Sequence, residues 1–262
     1  MLDASINQAA GLQGLACSPG AQLIPMVSHG DDSAELPLLW QLCSSLVDLG
    51  YPVTVLDGTS WESTDNPGLS QLLDHTYRAR SDLELHLPWS VIPAACGLRE
   101  VDYGPEEGSL YRLGSFFGQD DLVLVYADAQ ALALLLATTH CTPLLVLSES
   151  KNSLLTSYTA LKRLTQHGHL SPVIANIGAH RQSRGAKRQN HMVMNLLECA
   201  RNFLGFQGWV FNITAPERAA PEANDVRRLA LGLLETAVAL RPLPIAGTST
   251  GTIGTLSSLR NH

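Results

Sequence analysis

The chain predicts an α/β fold, a three-layer sandwich with a mostly parallel sheet, and three observations predict it. Short apolar runs at 22–28, 52–57, 89–94, 121–127, 143–148, 172–177 and 208–213 alternate with helical patterns near 34–49, 68–79, 129–138, 151–167, 188–204 and 223–240. Runs such as Leu122-Val-Leu-Val125 and Leu144-Leu-Val-Leu147 are apolar at every position, which suits strands covered on both faces. Strands that alternate with helices in this way connect through βαβ crossovers in a doubly wound sheet.

At 262 residues the chain is long enough for one large domain and short for two. The domain is expected over 21–241, between a polar, small-residue extension at 1–20 with a helical patch around Ile6 to Leu15 and a flexible Pro/Gly/Thr/Ser tail at 242–262. The net charge of −7 argues against nucleic acid as the main partner. The five cysteines are scattered, which fits reduced thiols better than a disulfide framework or a zinc site. Apolar stretches are too short to span a bilayer and no signal peptide is read, so a cytoplasmic protein is expected.

Residues 22–57 read strand, loop, helix, strand, the layout in which a P-loop holds phosphate on backbone N–H groups at a helix N-terminus. An ATP-binding loop needs glycines to wrap the phosphates, a lysine to reach their charge, and Ser or Thr for magnesium. Here the loop is Ser28-His29-Gly30-Asp31-Asp32-Ser33-Ala34-Glu35-Leu36, with one glycine, no lysine and three carboxylates. Asp31, Asp32 and Glu35 repel a triphosphate but complement a helix N-terminus, where Pro37 is tolerated in the first turn. The expectation is that the protein supplies its own anions where a ligand's phosphate would sit. Unconventional nucleotide binding is the other reading.

Several segments together resemble the MinD/ParA group of P-loop ATPases, and within it the flagellar-number-regulator branch of FlhG/FleN type. Asn7-Gln8-Ala9-Ala10-Gly11-Leu12 is similar to that branch's Asp-Gln-Ala-x-x-Leu-Arg activator motif, with Asn7 for the Asp and Gln13 for the Arg. Leu46-Val-Asp-Leu-Gly50 and Val53-Thr-Val-Leu-Asp57 resemble the family's first helix end and second strand. Ile92-Pro-Ala-Ala-Cys-Gly97 resembles its Ile-Pro-Ala strand and turn, and Asp121-Leu-Val-Leu-Val-Tyr-Ala-Asp128 its Walker B strand. Pro172-Val-Ile-Ala-Asn176 and Ala200-Arg-Asn-Phe-Leu-Gly205 resemble a late strand and helix.

The departures fall at the chemistry. Glu35 stands at the P-loop lysine position, Gly30 at the signature lysine, Leu36 and Pro37 at the magnesium-binding Thr/Ser pair, and Tyr126 at the Walker B aspartate. Asp57 remains at the switch aspartate and Asn176 at an adenine-contacting asparagine, although both equally suit strand-end capping. Without the lysines and magnesium ligands, phosphoryl transfer lacks its electrostatic stabilisation. The resemblance therefore implies a pseudo-ATPase with no bound cofactor and no catalytic residue. It would regulate flagellar placement or number through protein contacts.

The resemblance also implies a partner for Gln8, Ala9, Gly11 and Leu12: a signal-recognition-particle-type GTPase (FlhF type). A frayed helix resting on its own domain is the plainer reading of the same residues. An active MinD/ParA homologue is the other expected partner. Two alternatives stand beside this function. One is a true ATPase that draws a lysine from elsewhere, such as Lys151, Lys162 or Lys187, and so binds ATP and magnesium. The other is a MinD-like accessory factor of another envelope machine, such as cellulose secretion.

The helix from Asn224 carries an apolar stripe at Val226, Leu229, Ala230, Leu233, Leu234, Ala237 and Val238. Packing on the sheet explains it, and weak membrane contact through 224–240 at the inner membrane or cell pole is the family-based alternative. The basic run 181–188 reads as a solvated loop. Gly247-Thr-Ser-Thr-Gly251 matches a nucleophile-elbow pattern by chance, and the histidines, His167 and His169 included, lack metal-ligand spacing.

Overall fold

The computed structural model describes residues 20–76, 89–102, 109–137, 139–178, 184–215 and 221–240. In chain order the elements are β1 (Ala21–Ser28), α1 (Asp32–Asp48), β2 (Val53–Asp57), α2 (Leu69–Leu73), β3 (Trp89–Pro93), α3 (Ala95–Asp102), α4 (Ser109–Gly114) and β4 (Leu122–Asp128). There follow α5 (Ala129–Leu135), β5 (Leu144–Leu147), α6 (Lys151–His167), β6 (Val173–Gly178), α7 (Arg184–Leu204), β7 (Val210–Thr214), α8 (Ala223–Glu235) and β8 (Val238–Leu240). All seven apolar runs form strands. The sheet runs β3-β2-β4-β1-β5-β6-β7 with every one of these pairs parallel, and β8 joins β1 antiparallel.

Two apolar layers fill the space between this sheet and its helices. On one face α1 and α8 pack Leu38, Leu42, Leu46, Val226, Leu229 and Leu233 against Ile24, Met26, Val55 and Leu124. On the other, residues of α2, α3, α5, α6 and α7 meet Leu23, Val27, Leu56, Val123 and Val125. Successive residues of β4 thus feed opposite layers, which is why Leu122–Tyr126 is apolar throughout.

Several boundaries differ from the sequence reading. The helix expected over 223–240 ends at Glu235, and Val238 belongs to β8, so the stripe ends at Leu233 and Leu234. Its members Val226, Leu229, Ala230 and Leu233 are buried, so the stripe packs on the protein. Among the described residues no helix is long and apolar enough to cross a membrane. Helix α1 starts at Asp32, so Pro37 lies in the second turn, on the exposed side where the Ser33 carbonyl can meet solvent. Helices α3 and α4 were not expected. The motif at 1–19, residues 181–183 of the basic run and the tail at 242–262 lie outside the described residues.

Helix α3 packs closely on α2. A Cβ added at Gly97 would lie 2.5 Å from Leu69 Cγ and 2.7 Å from the Ser70 backbone nitrogen. Gly97→Ala is expected to lower stability by about 1–3 kcal/mol through overpacking, read as a lower urea midpoint at unchanged slope.

Candidate functional site

The loop after β1 sits at the carboxyl edge of the sheet, where β1 connects towards β2 while β5 connects towards β6. In open α/β sheets ligands bind at such a divergence. Gly30 takes φ +90°, a left-handed conformation that turns the loop into α1 and favours glycine.

Glu35 occupies the centre of this loop. It lies one turn into α1, is fully buried, and its side chain reaches back towards the strand. Its Oε1 accepts from the backbone N–H of Asp31 at 2.9 Å and of His29 at 3.2 Å. Its Oε2 accepts from the Tyr126 hydroxyl at 2.6 Å. Burial first, and then the bond to Glu35, raises the Tyr126 phenol well above its ordinary pKa. The phenol therefore stays a donor across the physiological range.

The three loop acids do different things. Asp31 does not cap α1: its Oδ1 accepts from Ser33 Oγ at 2.9 Å and its Oδ2 from Ser148 Oγ, at the end of β5, at 2.6 Å. Burial alone would raise the Asp31 carboxyl, but hydroxyl bonds from Ser148, Ser153 and Ser33 outweigh it and hold the pKa below 3.8. Asp32 is exposed. Of the three acids expected to take the place of a bound anion, Glu35 alone accepts from the loop N–H groups.

His29, which the sequence reading left without a role, pins the loop to the neighbouring strand and helix. Its side chain is 2% exposed, and Nε2–H donates to the Val146 carbonyl at 2.8 Å. A carbonyl only accepts, so Nε2 carries a proton. The same nitrogen is 3.2 Å from Glu35 Oε1, an ion pair when His29 is protonated, and Nδ1 meets Thr156 Oγ1 at 2.8 Å. Among the described residues no buried side-chain nitrogen or oxygen is left without a partner. The network is closed on itself.

The other positions singled out by the sequence resemblance carry structural bonds. Asp57, at the end of β2, accepts from the N–H and Oγ of Thr59 at 2.9 and 2.6 Å and from Ser60 Oγ at 2.6 Å. Asn176 is buried, faces Asn212 in the β6–β7 register, and donates through Nδ2 to Asn212 Oδ1 at 2.7 Å. Asp57 bonds the turn that follows β2, whereas Asn176 lies within β6 and its bond runs across to the neighbouring strand. Asp128 caps α5 through the N–H groups of Gln130 and Ala131. A second carboxylate, missed in sequence, binds the start of α3: Glu62 accepts from the N–H of Cys96 and of Gly97, both at 2.7 Å. Burial opposes this, but the N–H groups prevail and depress its pKa.

The described architecture is an α/β fold with a mostly parallel sheet, and it matches the fold of solved MinD and ParA-family structures. Among solved structures the chain is similar to cobyrinic acid a,c-diamide synthase from Mycobacterium smegmatis, with TM-score 0.54 and 12% identity over 82% of this chain and 94% of that one. It is also similar to the MinD cell division protein of Aquifex aeolicus, with TM-score 0.53 and 12% identity over 84% of this chain and 99% of that one. The ParA family ATPase of Chlorobium tepidum TLS gives TM-score 0.50 and 13% identity over 82% and 99%. No protein-family model and no curated protein sequence matches the chain.

The residues at the loop do not fit ATP and magnesium. A carboxylate already takes the loop N–H groups, and Leu36 and Pro37, which the resemblance sets at the magnesium-binding positions, carry no side-chain oxygen. Lys151 is exposed at the start of α6, while Lys162 lies 11 residues on, roughly 16 Å along the helix towards the opposite edge. The Lys187 side chain lies outside the described set. Among the described residues no cluster of His, Cys, Asp or Glu could hold a metal ion.

Tyr126→Phe keeps the ring and strips one donor from buried Glu35. It is expected to cost about 1–3 kcal/mol in urea denaturation at neutral pH. Asp31 has a depressed pKa, so its stabilisation is complete above 3.8 and is lost as pH falls through the folded value. Asp31→Asn is expected to be less stable near neutrality and to lose less stability than the parent between about pH 4 and about pH 2, followed by thermal melts across that range.

Proposed function

We propose that the chain is a non-catalytic regulator of MinD/ParA type that acts through protein contacts in flagellar placement or number. The observation that carries the non-catalytic reading is the Glu35 carboxylate bonded by the loop N–H groups. Phosphoryl transfer depends on cations around the transferred group, and this loop offers an acid in their place. Two like charges about 4 Å apart repel by about 4 kcal/mol at an effective dielectric near 20, roughly a thousandfold in affinity. The flagellar reading is supported by the ordered sequence resemblance from the Gln8 motif to Ala200-Arg-Asn-Phe-Leu-Gly205.

Calorimetric titration of the purified chain with Mg-ATP and Mg-ADP tests the first part. The expected result is no heat and no thermal shift at millimolar nucleotide, whereas micromolar binding would replace this reading with an ATPase of divergent site. The second part is tested by capture of the FlhF-type GTPase. Gln8→Ala is expected to weaken capture, and unchanged capture sinks the docking role of the motif.

A further inference from the structure

The described sheet has β3 at one end, and α1 does not cover it fully. A cleft of about 200 Å³ opens there between α1 and the strand margin, lined by Leu36, Trp40, Val55, Trp89 and Val91. Tyr126 and Asp57 close its end beside the Glu35 loop. Trp40 and Val91 are 49% and 48% exposed, and the Trp40 and Trp89 rings meet edge to face with centroids 5.3 Å apart. Two tryptophans and two aliphatic side chains part-open to solvent at a sheet margin mark a surface built to be covered. The cleft is smaller than the roughly 300–1,000 Å³ of small-molecule sites. Its scale suits aliphatic side chains from a polypeptide.

We infer that this cleft is the docking site for the chain's own N-terminal segment, through Ile6, Ala9, Ala10 and Leu12. The register places the segment's exit at the amino edge of the sheet, in the same row as Trp89 at the near end of the cleft. Gln22 pairs with Leu122, Leu122 with Val53, and Val53 with Trp89, so Gln22 and Trp89 share one row three strand spacings apart. At about 4.8 Å per spacing that is roughly 14 Å. The eight residues from Leu12 to Pro19 span up to roughly 26 Å when extended. Reach is therefore ample. The chemistry also agrees, because Asp3 is the one charged side chain among residues 1–19, and an apolar cleft admits such a segment without burying a charge.

This docking stands independently of the flagellar reading. Where both hold, Ala9 and Leu12 serve either the cleft or a partner, so a partner must first draw the segment out.

The test is a full-length chain carrying Trp40→benzoylphenylalanine, with Val91→benzoylphenylalanine as a second probe should the first disturb folding. After irradiation, crosslinks are mapped by mass spectrometry in a mixture of isotopically light and heavy chains. The expected result is crosslinking within one chain to residues 1–19, falling about tenfold or more when Ile6→Asp and Leu12→Asp are added. Crosslinks to residues 77–88 or 241–262, crosslinks between chains, no crosslink from either probe, or a yield indifferent to Ile6→Asp and Leu12→Asp would each overturn it. Loss of GTPase capture in Gln8→Ala reports on the partner reading alone.

Discussion

The carboxylate of Glu35 is the interaction around which the loop is arranged. A turn at the amino end of a helix concentrates backbone N–H groups that need an acceptor, and burial makes an unmet donor costly. Here the acceptor comes from within the same helix. That choice fixes its surroundings: Tyr126 must donate from β4, His29 must keep a proton on Nε2 for Val146, and Asp31 turns away to the hydroxyls of Ser33 and Ser148. The same solution recurs where Glu62 meets the start of α3. The protein meets the loop donors at the carboxyl edge of its sheet with its own acids.

The strands were legible because a strand buried on both faces has no room for polar alternation, and all seven apolar runs appear where the sequence places them. What was not legible depends on distant residues. Helix α3 carries no acidic N-cap of its own, since its carboxylate arrives from Glu62 in the loop after β2. Strand β8 continues the apolar spacing of α8, and three residues are too few to separate the two periods. At the loop the sequence announces three acids without saying which one meets the loop N–H groups. The position of Glu35 one turn into the helix decides it, and Asp32 remains in solvent. The role of His29 rests on Val146 and Thr156, more than a hundred residues away, and no local pattern reports it.

Fold and loop chemistry point in different directions, and only the fold is set by the core. Most of the two apolar layers comes from strand and helix residues away from the loop, and Tyr126 is the member that ties the layer under α1 to Glu35. A sandwich of this type can therefore keep its architecture while the group it offers to the loop N–H donors changes from a bound anion to a side chain.

Strand β1 lies inside the sheet, yet its flank is completed late in the sequence. On the side away from β4 it pairs with β5 through Met26, while its first three residues pair with Val238–Leu240. About 215 residues separate those partners, and loop closure over such a span must precede the contact. During synthesis the start of β1 thus waits, half-paired, until almost the whole domain has emerged. The antiparallel β8 is a late latch on the sheet's interior strand.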